Sequence, residues 1–145
     1  MDFFKGTRYF LSDMWFNVID LTEFINRPIN YLEIGTFYGA NLFSVANSYG
    51  IHLESKLHCI DPWDQYSDYD EYINQYSDIY STFCENLSNY ENKDKITVHR
   101  GYSHNEVPKF DDEFFDIIYI DGNHNSEYVL EDAVLSFRKL KHDGI

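Results

Sequence analysis

Four short apolar runs, each closing on a glycine or an aspartate, recur along the chain: INYLEIG (29–35), KLHCID (56–61), KITVHRG (95–101) and FFDIIYID (114–121). Runs of this length and composition read as strands buried on both faces. Between them lie stretches with helical character. A helix is expected over 38–50, YGANLFSVANSYG, stopped by Gly50, and another at about 77–89. A brief one is expected at 103–108. The amphipathic SEYVLEDAVLSFRKLK (126–141) follows, with Val129, Ala133, Leu135, Phe137 and Leu140 as its apolar side. Strands that alternate with helices build a parallel sheet covered on both faces, an α/β architecture.

Ahead of the first strand, SDMWFNVIDLTEFIN (12–26) places Trp15, Ile19, Leu21 and Phe24 on one helical side. Ser12 or Asp13 suits its cap, and Pro28 ends it. Residues 1–28 therefore read as an N-terminal helical segment, and 29–145 as the α/β domain. The stretch WDQYSDYDEYINQY (63–76) is acidic, tyrosine-rich and aperiodic, so it reads as a loop or irregular insertion. The chain stops at HDGI, where a fifth strand is expected. This reads as a sheet truncated after its fourth strand, in a shortened gene product or a fragment.

Charge narrows the function. Eleven basic residues stand against 25 acidic ones, a formal net charge of −14, which disfavours nucleic acid and anionic membrane surfaces as partners. A small ligand needs only a local site and is not disfavoured. At 43% hydrophobic residues the chain has enough apolar surface for a core. Cys59 and Cys84 form no CxxC pair, so zinc and dithiol chemistry have no support. No signal pattern or membrane-length run is present, and the chain reads as soluble, intracellular and cytoplasmic.

The strand ends carry the chemistry. After the first strand, Glu33, Gly35, Thr36 and Gly39 form a turn into a helix, where glycine lets backbone approach a ligand. The spacing G-x-x-x-G with a preceding acid differs from the dinucleotide pattern G-x-G-x-x-G. The acid suits a cation, such as the amino group of an amino-acid-like ligand. The plainer reading is a tight turn. Asp61 ends the second strand in HCIDPW, just before Trp63. It falls in the window where an acid binds a ribose diol; alone, it reads as a turn cap before Pro62. After the third strand, Tyr102 and Ser103 suit an adenine ring and its edge, or Gly101 simply turns the chain. Asp121 ends the fourth strand and His124 opens the next loop. Asp121 suits a hard divalent metal and His124 a general base, whereas a lone histidine is more often a surface residue.

Together, YLEIGTFYGANL, HCIDPW and FDIIYIDGNHNSEYVLEDAVLSFRKLKHDGI resemble the class I S-adenosylmethionine-dependent methyltransferases. The resemblance runs from about residue 30 to the end and is strongest to the small-molecule, macrocin-type O-methyltransferase branch. Its most specific part is strand–Asp-Gly-x-His–helix, followed by a Leu-x-x-Gly-Gly-type turn. Here that turn reads LKHDGI, with Asp143 in place of the first glycine. The resemblance implies a Rossmann-like sheet and S-adenosylmethionine as cofactor. It implies that Glu33 and the Gly35–Gly39 turn hold the methionine moiety, Asp61 the ribose hydroxyls and residues 101–103 the adenine, with Trp63 and Asp121 also at the cofactor. In metal-using members it implies magnesium, with Asp121 as one ligand and His124 deprotonating the acceptor hydroxyl. The other metal ligands usually follow a fifth strand.

The leading reading is thus methyl transfer to a hydroxyl of a sugar or another small molecule. A second is a catalytically inactive cofactor-binding remnant or partner-binding scaffold, whose fourth strand offers an exposed edge for pairing, including with a second copy. A third, an NAD-dependent oxidoreductase, is disfavoured by Glu33 and by the missing third glycine.

Overall fold

The computed structural model describes residues 2–9, 11–64 and 76–145. Strands β1 (Asn30–Ile34), β2 (Lys56–Asp61), β3 (Ile96–Arg100) and β4 (Ile117–Ile120) form one parallel sheet in the order β3-β2-β1-β4. The chain winds outward from β1 through β2 to β3, then returns to place β4 on the other side of β1. That reversal opens a crevice at the carboxyl ends of β1 and β4. Side chains alternate along each strand. Tyr31, Leu57, Cys59 and Ile117 enter one core with Leu42, Phe43 and Val45 of α1 (Ala40–Ala46) and Ile79 and Phe83 of α2 (Tyr76–Asn89). Leu32, Ile34 and Ile60 enter a second core with Val107 and Phe115. This opposite face carries α3 (Ser103–Glu106), a 3₁₀ turn at Val107–Lys109, and α4 (Ser126–Phe137). The Rossmann-like expectation is met.

Two expectations are corrected. The helix expected over 12–26 is two 3₁₀ turns, Ser12–Trp15 and Leu21–Glu23. Asp20 breaks it by accepting both the backbone N–H and the hydroxyl of Thr22, at 2.9 and 2.8 Å. Ser12 bonds the hydroxyls of Ser44 and Ser48 instead of capping. The broken path lets Trp15 and Phe24 both pack on Tyr49. The second correction concerns α4. It buries Asp132 and Ser136 and packs Leu135 of the expected side against the second core, while Val129, Ala133 and Phe137 of that side are exposed. The helix is rotated so that Asp132 meets Ser103 at the β3–α3 corner.

The N-terminal arm shares the first core through Phe4 and Phe24. Asn86 clasps it, accepting the Lys5 N–H and donating to the Lys5 and Tyr38 carbonyls. Asp116 ties the arm to the sheet, bonding Arg27, Lys141 and the Asn30 N–H. Along β4's outer edge, Ile145 donates to Asp116 and accepts from Ile118, so this edge is partly paired by the chain itself. Most of the expected insertion, residues 65–75, lies outside the described residues. Among the described residues no helix is long and apolar enough to cross a membrane.

Candidate functional site

All four strand-end motifs converge on one rim of the sheet. Gly35, directly after β1, has φ +86°. A β-carbon there would lie 2.1 Å from the Asp121 carbonyl oxygen and 2.6 Å from Gly122 Cα. Only glycine lets the turn close against the end of β4, so the first and fourth motifs are in direct contact. Gly39, also left-handed at φ +87°, starts α1.

Asp61 is 6% exposed and holds this turn. Its Oδ2 accepts the N–H groups of Thr36 and Phe37 at 2.8 and 2.9 Å, and its Oδ1 accepts that of Trp63 at 2.8 Å. Burial raises the carboxyl's pKa, and the three backbone donors work against that rise. The plainer reading, a turn cap, is therefore part of what Asp61 does. Trp63 belongs to the core rather than to the crevice: it is 3% exposed, stacks on Phe83 at 4.6 Å and donates Nε1–H to the Phe37 carbonyl.

Glu33 lies beneath the turn and is 1% exposed. It does not present a bare carboxylate to solvent. Its Oε2 accepts the Tyr31 hydroxyl at 2.7 Å and Asn41 Nδ2 at 2.7 Å. Burial pushes its pKa up to about 8, against these two hydrogen bonds. Burial thus favours the uncharged form, and the nearby Asp121 and Asp61 carboxyls add to that preference.

Beside the turn is a cavity of about 170 Å³. Ile34, Ile60 and Pro62 give it apolar walls, Tyr102 an aromatic one, and Ser103 and Asp132 polar ones. Tyr102 stacks on His104 at 5.7 Å, nearly parallel. Asp132 was not singled out from the sequence. It is 3% exposed, and its Oδ1 has no hydrogen-bond partner. The signal was present: Asp132 and Ser136 are polar residues four apart within an apolar helical stretch, VLEDAVLSF.

On the other side of Gly35, His124 Nε2 lies 3.3 Å from Asp121 Oδ1, with the imidazole more than half exposed. Tyr119 donates to Asp121 Oδ2 at 3.3 Å. Burial raises the Asp121 pKa, opposed by His124 and Tyr119. Among the described residues no group of three or more His, Cys, Asp or Glu side chains is arranged to hold a metal, so Asp121 stands without companion ligands there.

The arrangement is a glycine-backed crevice with an apolar slot at one end and a carboxylate–imidazole pair at the other. Such an arrangement can hold an apolar group in the slot and accept a proton at the imidazole. Among solved structures, the chain is similar to a Staphylococcus aureus protein described as a caffeoyl-CoA O-methyltransferase. The TM-score is 0.66 at 19% identity, covering 94% of this chain and 57% of that one. It is also similar to a Galdieria sulphuraria protein described as a sarcosine dimethylglycine methyltransferase, with TM-score 0.59, 15% identity, and 90% and 42% coverage. A third is spermidine synthase from Thermotoga maritima, with TM-score 0.54, 19% identity, and 88% and 40% coverage. These likenesses establish the fold, and the chain spans about half the length of the solved structures it matches, 52% and 57% of two of them. No curated protein matches the chain. The family model for a methyltransferase domain matches residues 32–145, from β1 through all four strand-end motifs to the last residue. The chain belongs to the methyltransferase domain family.

Proposed function

We propose that this chain binds S-adenosylmethionine across the β1–β4 crevice and supports methyl transfer to a hydroxyl of a sugar or another small acceptor. The observation that carries the reading is the contact of Gly35 with Asp121 and Gly122. It joins the apolar slot and the Asp121–His124 pair into one continuous site. The residues fit the cofactor. The slot has the flat apolar walls a purine needs, and the Gly35–Gly39 turn brings backbone to the ligand's flank. Asp61 retains acceptor capacity beyond its three backbone donors for the ribose. The bound cofactor supplies an electrophilic methyl group on a sulfonium.

The chain's own residues supply alignment and the proton acceptor. A histidine that gives its Nε2–H to Asp121 keeps a basic electron pair on Nδ1 to take the acceptor's proton. Asp121 then stabilises the imidazolium. No step of the proposed reaction runs through a metal ion. The strand–Asp-Gly-x-His–helix pattern supports the macrocin-type branch. Two unpaired thiols, buried Cys59 and exposed Cys84, suit the reducing cytoplasm.

One observation favours a second reading, docking to another polypeptide. Leu130, Val134 and Phe137 expose 65%, 63% and 79% of their surface along one side of α4. Pairing of two copies along the remaining edge of β4 belongs to this reading.

The test is His124→Ala, assayed for transfer of a labelled methyl group to a panel of small hydroxyl acceptors. Turnover falls by about 10²-fold or more, while S-adenosylhomocysteine affinity stays within about twofold. Equal losses in both would make His124 structural and remove the general base.

A further inference from the structure

The slot beside Gly35 contains a buried carboxylate oxygen that neither the fold nor the proposed chemistry pairs. Asp132 projects from α4 into the slot, between the apolar side of Ile34, Ile60 and Pro62 and a polar rim that includes Ser103, His104 and Glu131. The residue is 3% exposed, and its Oδ1 has no partner. Its Oδ2 lies beside Gly122, 3.6 Å from where a β-carbon on that residue would be. Burial raises the carboxyl's pKa, a rise that the Ser103 hydroxyl and His104 oppose and the neighbouring Glu131 reinforces. A buried carboxylate oxygen without a donor is costly to maintain, so such a group points to a donor that arrives with a ligand. A donor reaching a slot of about 170 Å³ belongs to a group the size of one heterocyclic base carrying an N–H group on its edge.

We infer that Asp132 is the specificity-determining residue for the nucleobase, its carboxylate accepting the exocyclic amine of adenine and rejecting a purine that has a carbonyl at that position. The inference rests on the proposed S-adenosylmethionine site and assigns its base selectivity to α4, apart from the strand-end motifs. A purine with a carbonyl there would set oxygen against oxygen. A site built to hydrogen-bond an N–H discriminates strongly against an analogue lacking it.

The experiment compares S-adenosylhomocysteine with its hypoxanthine analogue, in which a carbonyl oxygen replaces the amine, by calorimetric titration. The wild-type chain prefers the adenine form by about tenfold or more. In Asp132→Asn, whose side-chain amide can donate to that carbonyl, the preference disappears or inverts. Two results overturn the inference. Equal wild-type affinities do so without any variant. So does an Asp132→Asn change that weakens both ligands by the same factor, the mark of a purely structural residue. If the folded wild-type chain binds neither ligand, the cofactor reading itself fails, and this assignment fails with it.

Discussion

Asp61 Oδ2 accepts the Thr36 N–H at 2.8 Å, across 25 residues of sequence. The end of β2 thereby holds the turn that follows β1, and the same carboxylate also fixes Phe37 and Trp63. Phe37 and Trp63 have positive φ, 54° and 43°, in a region that non-glycine residues seldom adopt. The crevice is shaped by one buried acid, so its shape and the local stability are coupled.

Asp61→Ala therefore lowers both. Three buried N–H groups lose a charged acceptor, and the unfolding free energy falls by about 3 kcal/mol. S-adenosylhomocysteine affinity falls by about tenfold or more. Urea denaturation alongside titration checks this. Lost affinity with an unchanged urea midpoint would assign Asp61 to the ligand alone.

Two glycines of the same crevice respond differently. Gly35→Ala drives a β-carbon against the Asp121 carbonyl oxygen in a left-handed conformation, and destabilises the fold by about 3 kcal/mol or more. At Gly122 the nearest atom to an added β-carbon is Ile34 Cγ2 at 3.4 Å, an ordinary contact. Gly122→Ala stays within about 1 kcal/mol of wild type. Melting temperatures of the two variants decide, and equal losses would contradict the packing described.

Glu33 makes the ligand-free protein sensitive to alkali. Its folded pKa, about 8, stands above the ordinary value of 4.5, so between these values the folded chain holds a proton that the unfolded chain releases. Its contribution to stability is full below about 4.5 and is lost as the pH rises through about 8. Glu33→Gln keeps an acceptor for Tyr31 and Asn41. It leaves stability near wild type at pH 5 and raises it at pH 8.5. An identical pH profile for the variant would refute the assignment.

His58 acts in the opposite direction. It lies 3.0 Å from His99, among Phe110, Phe114 and Phe115, and its Nε2 is buried without a partner. Burial, then His99 and Lys56, lower its pKa from 6.5 to about 4. The unfolded chain takes up this proton first. The contribution is full above about 6.5 and is lost as the pH falls toward 4. His58→Leu flattens that acid limb, measured as urea midpoints at pH 4.5 and 7.

The strand pattern was legible because a sheet buried on both faces leaves nearly continuous apolar runs. LHCI and IIYI read as strands from residue type alone. The strand-end acids and glycines were legible because parallel strands bring their carboxyl ends together. The direction of the side chains was not. Glu33 follows the pleat inward, under Tyr31 and Asn41. Trp63 turns into the core through a positive φ that no local motif announces. The apolar stripe of α4 suggested an inward face. Tertiary packing rotated the helix to bury Asp132 and Ser136, and Asp132 meets Ser103 at the start of α3 and adjoins the slot. The segment 12–26 has a helical period, and Asp20 overrides it locally.

The most direct test of the account is a calorimetric titration of the 145-residue chain with S-adenosylhomocysteine, with NAD as the comparison ligand. The account predicts saturable one-site binding of S-adenosylhomocysteine and none of NAD. A folded chain that binds NAD instead, or neither ligand, would contradict it.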